Sequence, residues 1–233
     1  MVMYMNQILT PTQIAIDGPS GAGKSTVARL VAERAGFFYV DSGAVYRAVA
    51  LAYYNHCDDL GSVTDEILTD ILSRTEIIVQ NSQNTQKTIL NGKDVMDTIR
   101  TPKIAMAASA LAAYTPVRRF VTDTVRTVAA KESVVIDGRD IGTKVLPNAN
   151  LKIYLDASPE IRARRRFDEL QAAGKNVVYS DVLNDVITRD HNDSTRALDP
   201  LRKANDAVTL LTDNLTINDV IDKILSHLKE ITA

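Results

Sequence analysis

Gly18-Pro19-Ser20-Gly21-Ala22-Gly23-Lys24-Ser25 fits the spacing G-x-x-x-x-G-K-[ST]. Glycines at those positions let the backbone turn its N–H groups inward around a polyphosphate, and a following helix N-terminus adds partial positive charge. Lys24 can then reach the β- and γ-phosphates, while the Ser25 hydroxyl, with Thr26 beside it, can ligate Mg²⁺. A nucleoside triphosphate, most simply ATP with Mg²⁺, is therefore the expected ligand. That loop alone leaves hydrolase, switch and kinase open.

Further groups suited to phosphate lie downstream. In Asp41-Ser42-Gly43-Ala44-Val45-Tyr46-Arg47, Ser42 reads as the cap of the next helix, and Arg47 falls where a guanidinium can fork onto a second phosphate. Asp41 as a bare cap with Arg47 as a surface charge is the plainer alternative. In Asp137-Gly138-Arg139-Asp140, Asp137 is placed to organise Mg²⁺ through water, with Arg139 and Asp140 extending toward the same crevice. A structural turn explains the Asp-Gly pair equally well. Arg162, Arg165, Arg166 and Glu169 share one helical face, which suits either solvation or the spread charge of phosphoryl transfer. Arg189, Asp193 and Arg196 follow at i, i+4 and i+7 and line up one face. They can hold a phosphate and a ribose hydroxyl, or satisfy one another.

These residues need a scaffold that brings them to one edge. Apolar runs at 13–17, 37–40, 134–138, 151–156 and 208–213 read as strands, and the segments between them as helices. Five apolar strands separated by helices predict a parallel sheet covered on both faces. Between 58 and 101 the pattern changes to a short amphipathic helix and a hairpin, EIIVQ and KTILNG around a turn-rich NSQNTQ. Residues 101–131 read as helices broken near Pro116, and 159–174 as a helix opened by proline. The first ten residues read as a frayed lead-in, and no repeat or flexible linker interrupts the rest.

Composition narrows the classes. The chain has 233 residues, 45% of them hydrophobic and 24% charged, the profile of one ordinary globular α/β domain. A formal charge of -2 provides no global attraction to nucleic acid or an acidic membrane. Cys57 is the only cysteine, which excludes an intrachain disulfide and suits a reducing cytoplasm. No basic segment followed by an apolar core opens the chain, and no run reaches the roughly 18 apolar residues of a membrane span. The expectation is a cytoplasmic protein.

"IDGPSGAGKST", "DSGAVYR", "IDGRDIGT" and "RDHNDSTR", in this order, closely resemble the motifs of bacterial cytidylate kinases, a family of nucleoside monophosphate kinases. The resemblance spans the chain from about Ile14 to the last helix. It implies transfer of the ATP γ-phosphate to CMP or dCMP in pyrimidine nucleotide metabolism, with Mg²⁺, by a monomer that engages neither nucleic acid nor membrane. It implies a P-loop nucleoside-kinase fold: a five-stranded parallel core, a monophosphate-binding region at 42–131 that includes the insertion at 58–101, and a short lid at 162–180. By the same resemblance Ser42, Tyr46 and Arg47 belong to the monophosphate site, Ser109, Arg118 and Asp140 contact the cytosine, and Arg139 and Arg196 bind the acceptor phosphate. Arg189 and Asp193 hold the sugar, and the lid arginines, Arg165 foremost, cover the ATP phosphates. Some relatives carry GKG where this chain has GKS, so Ser25 and Thr26 both stand as candidates for the metal.

Overall fold

The computed structural model describes residues 10–82 and 85–232. Strand β1 (Gln13–Asp17) runs into the glycine loop, and helix α1 (Lys24–Ala35) starts at the lysine of the motif. Gly36 ends α1 in the left-handed region at φ 70°, and the N–H of Phe37 reaches back to the Ala32 carbonyl at 2.8 Å. Strand β2 (Phe38–Asp41) leads directly into helix α2 (Ser42–Tyr54). Asp41 rather than Ser42 caps α2, its carboxylate accepting from the Ala44 N–H at 3.0 Å. Contrary to the expectation of a Ser42 cap, Ser42 is already the first helical residue, which frees its hydroxyl for another partner.

Helix α3 (Asp65–Ser73) is followed by a three-stranded antiparallel sheet of β3 (Ile77–Ser82), β4 (Thr85–Leu90) and β5 (Lys93–Asp94). The strands extend into the segment read as turn, since Ser82 still pairs with Thr85. The register set by Ile77 opposite Leu90 carries the pairing out to that point. The tip of the turn lies outside the described residues, as does most of the lead-in. Helices α4 (Pro102–Leu111) and α5 (Thr115–Ala129) break just before Pro116, which sits in the first turn of α5.

Strand β6 (Val134–Gly138), a π-helical turn at Ile141–Val145 and strand β7 (Leu151–Asp156) come next. Helices α6 (Pro159–Ala172) and α7 (Tyr179–Thr195), strand β8 (Val208–Leu211) and helix α8 (Ile217–Thr232) complete the chain. The main sheet is five-stranded in the order β2-β6-β1-β7-β8 and parallel throughout.

Side chains alternate across this sheet and fill two layers. Ile14, Ile16 and Val135 pack with α1 and α8 on one face, while Ala15, Val134 and Ile136 pack with α2 to α5 on the other. The hairpin sheet is no separate unit: Ile77, Val79 and Leu90 belong to the same apolar cluster as α2. A third, smaller cluster of Ala163, Val182 and Val186 joins α6 to α7.

Register puts every functional segment at one edge. Asp17 lies level with Gly138 and Tyr154, and Asp41 with Asp137, so the carboxyl ends of β1, β2, β6 and β7 open on a common crevice. Gly18 makes that convergence possible. It adopts φ 148°, and a Cβ there would stand 2.0 Å from the Leu155 carbonyl oxygen of β7. Gly18→Ala is therefore expected to force the loop away from β7 and lower Tm by about 5–10 °C. Gly36→Ala meets no atom within 4 Å and should cost only the left-handed strain of about 1 kcal/mol. Equal thermal shifts in the two variants would refute the contact argument.

Candidate active site

The glycine loop holds Lys24 at the first position of α1, with 6% of its surface exposed. Its ammonium donates to the Pro19 carbonyl at 2.7 Å, so the lysine folds back onto its own loop. Burial, and then Arg139, press the Lys24 pKa well below its ordinary value; Asp137, Asp17 and Asp193 pull the other way. Ala22 is buried and Gly21 stands against Arg162, whereas Ser25 and Thr26 lie toward solvent.

Asp137, at the end of β6, meets both of its neighbours through hydroxyls. Ser25 Oγ donates to one carboxylate oxygen at 2.8 Å and Tyr39 Oη to the other at 2.9 Å. Ser25, and not Thr26, is thus the hydroxyl beside Asp137. A serine hydroxyl next to a carboxylate is a hard-oxygen pair suited to Mg²⁺ that keeps waters and takes the rest of its ligands from phosphates. Among the described residues no group of three or more His, Cys, Asp or Glu could hold an ion by itself.

The second half of the crevice is built on α2, the β6 end and α7. Ser42 Oγ, buried, donates to the Asp137 carbonyl at 2.7 Å. Arg47 pairs with Asp41 at 2.7 Å, and its buried Nε has no partner. Arg139 pairs with Asp193 of α7 at 2.7 Å. Arg196 reaches Asp140 at 3.3 Å and donates through Nε to the Asp199 carbonyl at 2.8 Å. Arg189 is solvent-exposed yet ringed by protein in the concavity; lost hydration first, then Arg139, lower its pKa from the ordinary value.

Arg118 and Asp140 form a buried pair, 5% and 4% exposed, and Arg118 Nε also donates to Asp199 at 2.7 Å. Burial opposes the Arg118 charge, but Tyr46, Asp140 and Asp199 outweigh it and raise its pKa. Tyr46 lies with its ring 6.0 Å from the Arg118 guanidinium, and burial pushes its phenol up to about 12. Ser109 sits exposed in the last turn of α4, outside this hydrogen-bonded group.

The arginines expected to form a lid divide by position on α6. Arg165 donates to the Thr212 hydroxyl and carbonyl at 3.3 and 3.1 Å, just beyond β8, and Arg166 makes an exposed pair with Glu169. Arg162 alone of these meets the glycine loop, donating to the Ser20 carbonyl at 3.0 Å while it grips Asp190 at 3.0 and 2.5 Å. Its place in the first turn of α6, nearest the end of β7, was the available signal. Asp17 is a residue that motif reading passed over. Its carboxylate accepts from the Ile141 and Gly142 N–H groups at 2.8 and 2.7 Å, tying the glycine-loop strand to the turn that follows Asp140.

Burial pushes the Asp17 and Asp137 carboxyls from 3.8 up to about 6, against the hydrogen bonds that favour their charged forms. Between about pH 4 and 6 the folded chain therefore keeps protons that the unfolded chain has released, and stability falls as pH rises through that window. Asp137→Asn should be more stable than the parent at pH 7 by on the order of 1 kcal/mol, with the gap closing as pH falls toward 4. Urea midpoints across this range check it; parallel pH curves for the two proteins would count against it.

Comparison with known proteins gives a consistent result. A family model described as Cytidylate kinase matches residues 14–230. The chain is 46% identical to a cytidylate kinase of Desulfitobacterium hafniense (strain Y51) over 92% of this chain and 91% of that one. It is 44% identical to a cytidylate kinase of Bacillus subtilis (strain 168), over 93% and 96%, and 44% identical to that of Thermosipho melanesiensis, over 94% and 98%. With the match running almost end to end, and the four motifs that carry the resemblance converging on one crevice, this chain belongs to the cytidylate kinase family.

Proposed function

We propose that this protein transfers the γ-phosphate of ATP to CMP or dCMP, giving ADP and CDP or dCDP. One observation carries the reading: the crevice has two cationic halves, and in the second the arginines are held by carboxylates that an incoming phosphate can replace. Lys24 serves the donor. Arg47, Arg139 and Arg196, parked on Asp41, Asp193 and Asp140, serve an acceptor that brings its own phosphate. The unpartnered Nε of Arg47 adds a donor already directed at no protein atom.

The chemistry is an in-line displacement. An oxygen of the acceptor phosphate attacks the γ-phosphorus, the bond to the β–γ bridging oxygen breaks, and ADP leaves with that oxygen. No protein nucleophile is required, so the chain acts by positioning and charge neutralisation. Mg²⁺, held by Ser25 and through water by Asp137, would neutralise the donor phosphates. Arg162, anchored to the glycine loop, and Arg165, after release from Thr212, are the lid cations available to the transferring group. Residues 162–180 act as the lid and 42–131 as the monophosphate-binding region; closure only on a filled acceptor half prevents hydrolysis.

Arg118 and Asp140 set base choice. Side by side, they offer guanidinium donors and a carboxylate acceptor, the complement of the cytosine ring edge and its amino group, and a base lacking that pattern leaves them unpaired. Ser109 completes this end if α4 moves inward. Arg189 and Asp193 hold the sugar. The protein works on these small molecules as a cytoplasmic monomer. No helix among the described residues is long and apolar enough to cross a membrane, in keeping with that location.

An acceptor panel of CMP, dCMP, UMP, AMP and shikimate tests the reading. CMP or dCMP should be turned over fastest, and a faster rate with UMP or AMP would overturn the choice of base. ATP consumption indifferent to CMP would favour a nucleotide switch instead. Lys24→Ala should lose about 10²–10³-fold in turnover with its far-UV spectrum intact; a near-normal rate would mean that the glycine loop serves something else.

A further inference from the structure

Gln86 of the inserted hairpin reaches the crevice end of β2. Strand β2 is the edge of the main sheet, so its outer side has no neighbouring strand. At Asp41 that side is filled by a side chain instead. Gln86 Oε1 accepts from the Asp41 N–H at 2.6 Å, and Gln86 Nε2 donates to the Asp41 carbonyl at 3.4 Å. The carboxamide stands in for the peptide group of a missing strand.

Gln86 is placed for this at a cost. Positions 86, 88 and 90 of β4 form the buried side of the hairpin, where Leu90 opposite Ile77 shows the apolar pattern. Gln86 and Thr88 depart from it, at 3% and 0% exposure. Gln86 Nε2 also donates to Thr88 Oγ1 at 3.1 Å, which fixes the orientation of the amide. A buried amide without partners costs about 1–3 kcal/mol, so its hydrogen-bonding groups must be used, and they are used on Asp41.

Asp41 is the hinge of the second cationic half. Its carboxylate caps α2 through the Ala44 N–H and holds Arg47 at 2.7 Å, and Ser42 follows it directly. We propose that Gln86 is a positioning residue for the acceptor phosphate: through the Asp41 peptide it holds Ser42 and Arg47 in place, so that the insertion serves the acceptor half of the site. This rests on the reading of Arg47 as an acceptor-phosphate ligand.

Gln86→Met keeps length and loses both hydrogen bonds. It should raise the KM for CMP about tenfold, leave the KM for ATP within about twofold, and lower kcat by no more than about threefold. In an Arg47→Ala background the same change should add little, because its effect runs through Arg47. Val220→Ala, which loosens the core on the opposite face of the main sheet, away from the hairpin, should leave the CMP KM unchanged and so reports a merely structural effect. If Gln86→Met does not fold, Thr88→Val removes only the prop under the amide and should raise the CMP KM about threefold.

A folded Gln86→Met whose CMP KM matches the parent, or whose CMP and ATP constants rise together, overturns the proposal; for Thr88→Val an unchanged CMP KM does so. The parent enzyme separates the two levels of inference. If it prefers another acceptor, the choice of CMP fails, and the KM for that acceptor is the constant that Gln86 must move. Hydrogen exchange supplies a readout without turnover: the segment 38–47 should exchange faster in Gln86→Met than in the parent, and equal exchange counts against the role.

Discussion

Like charge crowded into one crevice is the constraint on which this structure turns. Lys24, Arg47, Arg139, Arg189 and Arg196 converge where two polyanions would meet, and before either arrives they repel one another. The effect is visible in Lys24 and Arg189, whose pKa values fall partly because Arg139 is near. Interleaved carboxylates make the arrangement tolerable: Asp41 holds Arg47, Asp193 holds Arg139, and Asp140 is shared by Arg118 and Arg196. In the proposed reading an arriving phosphate would take over such an arginine, one oxyanion replacing another.

The same arrangement explains where stability is given up. Asp17 and Asp137 are buried beside the glycine loop, and burial raises both carboxyls toward neutrality. Each is retained because it joins strands: Asp17 links β1 to the turn after β6, and Asp137 links β6 to Ser25 on α1 and to Tyr39 on β2. The donor and acceptor halves thus share a buried polar frame, and a shift in one strand end is felt at the others. The apolar layers supply the rigidity, with the hairpin sheet packed into the larger of them rather than appended to it.

Much of this was legible in the chain. Strands 134–138 and 151–156 have the boundaries that their apolar runs predict. Ser25 and Asp137, read separately as candidates for the metal, meet in the structure. Local choice among similar residues was harder to read. Ser42 and Asp41 both suit a helix cap, and the deciding factor is where β2 stops. Arg162 and Arg165 both suit a lid, and which one meets the loop depends on how α6 leaves β7. Gln86 lay in a segment read as turn, where no local pattern marks a buried amide.

By itself the sequence determined the donor loop, the alternation of strands and helices, and the family. These rest on short-range physics: glycine torsions, periodicity of apolar side chains, and a lysine fixed beside its own loop. Only the tertiary structure decided which arginine rests on which carboxylate, that Asp17 braces the turn after Asp140, and that an inserted hairpin completes the edge of β2. Many of those contacts join residues 45 or more positions apart, as between Asp41 and Gln86 or Asp17 and Gly142. A charge or an amide carries no label for its distant partner; the packing of the sheet selects it.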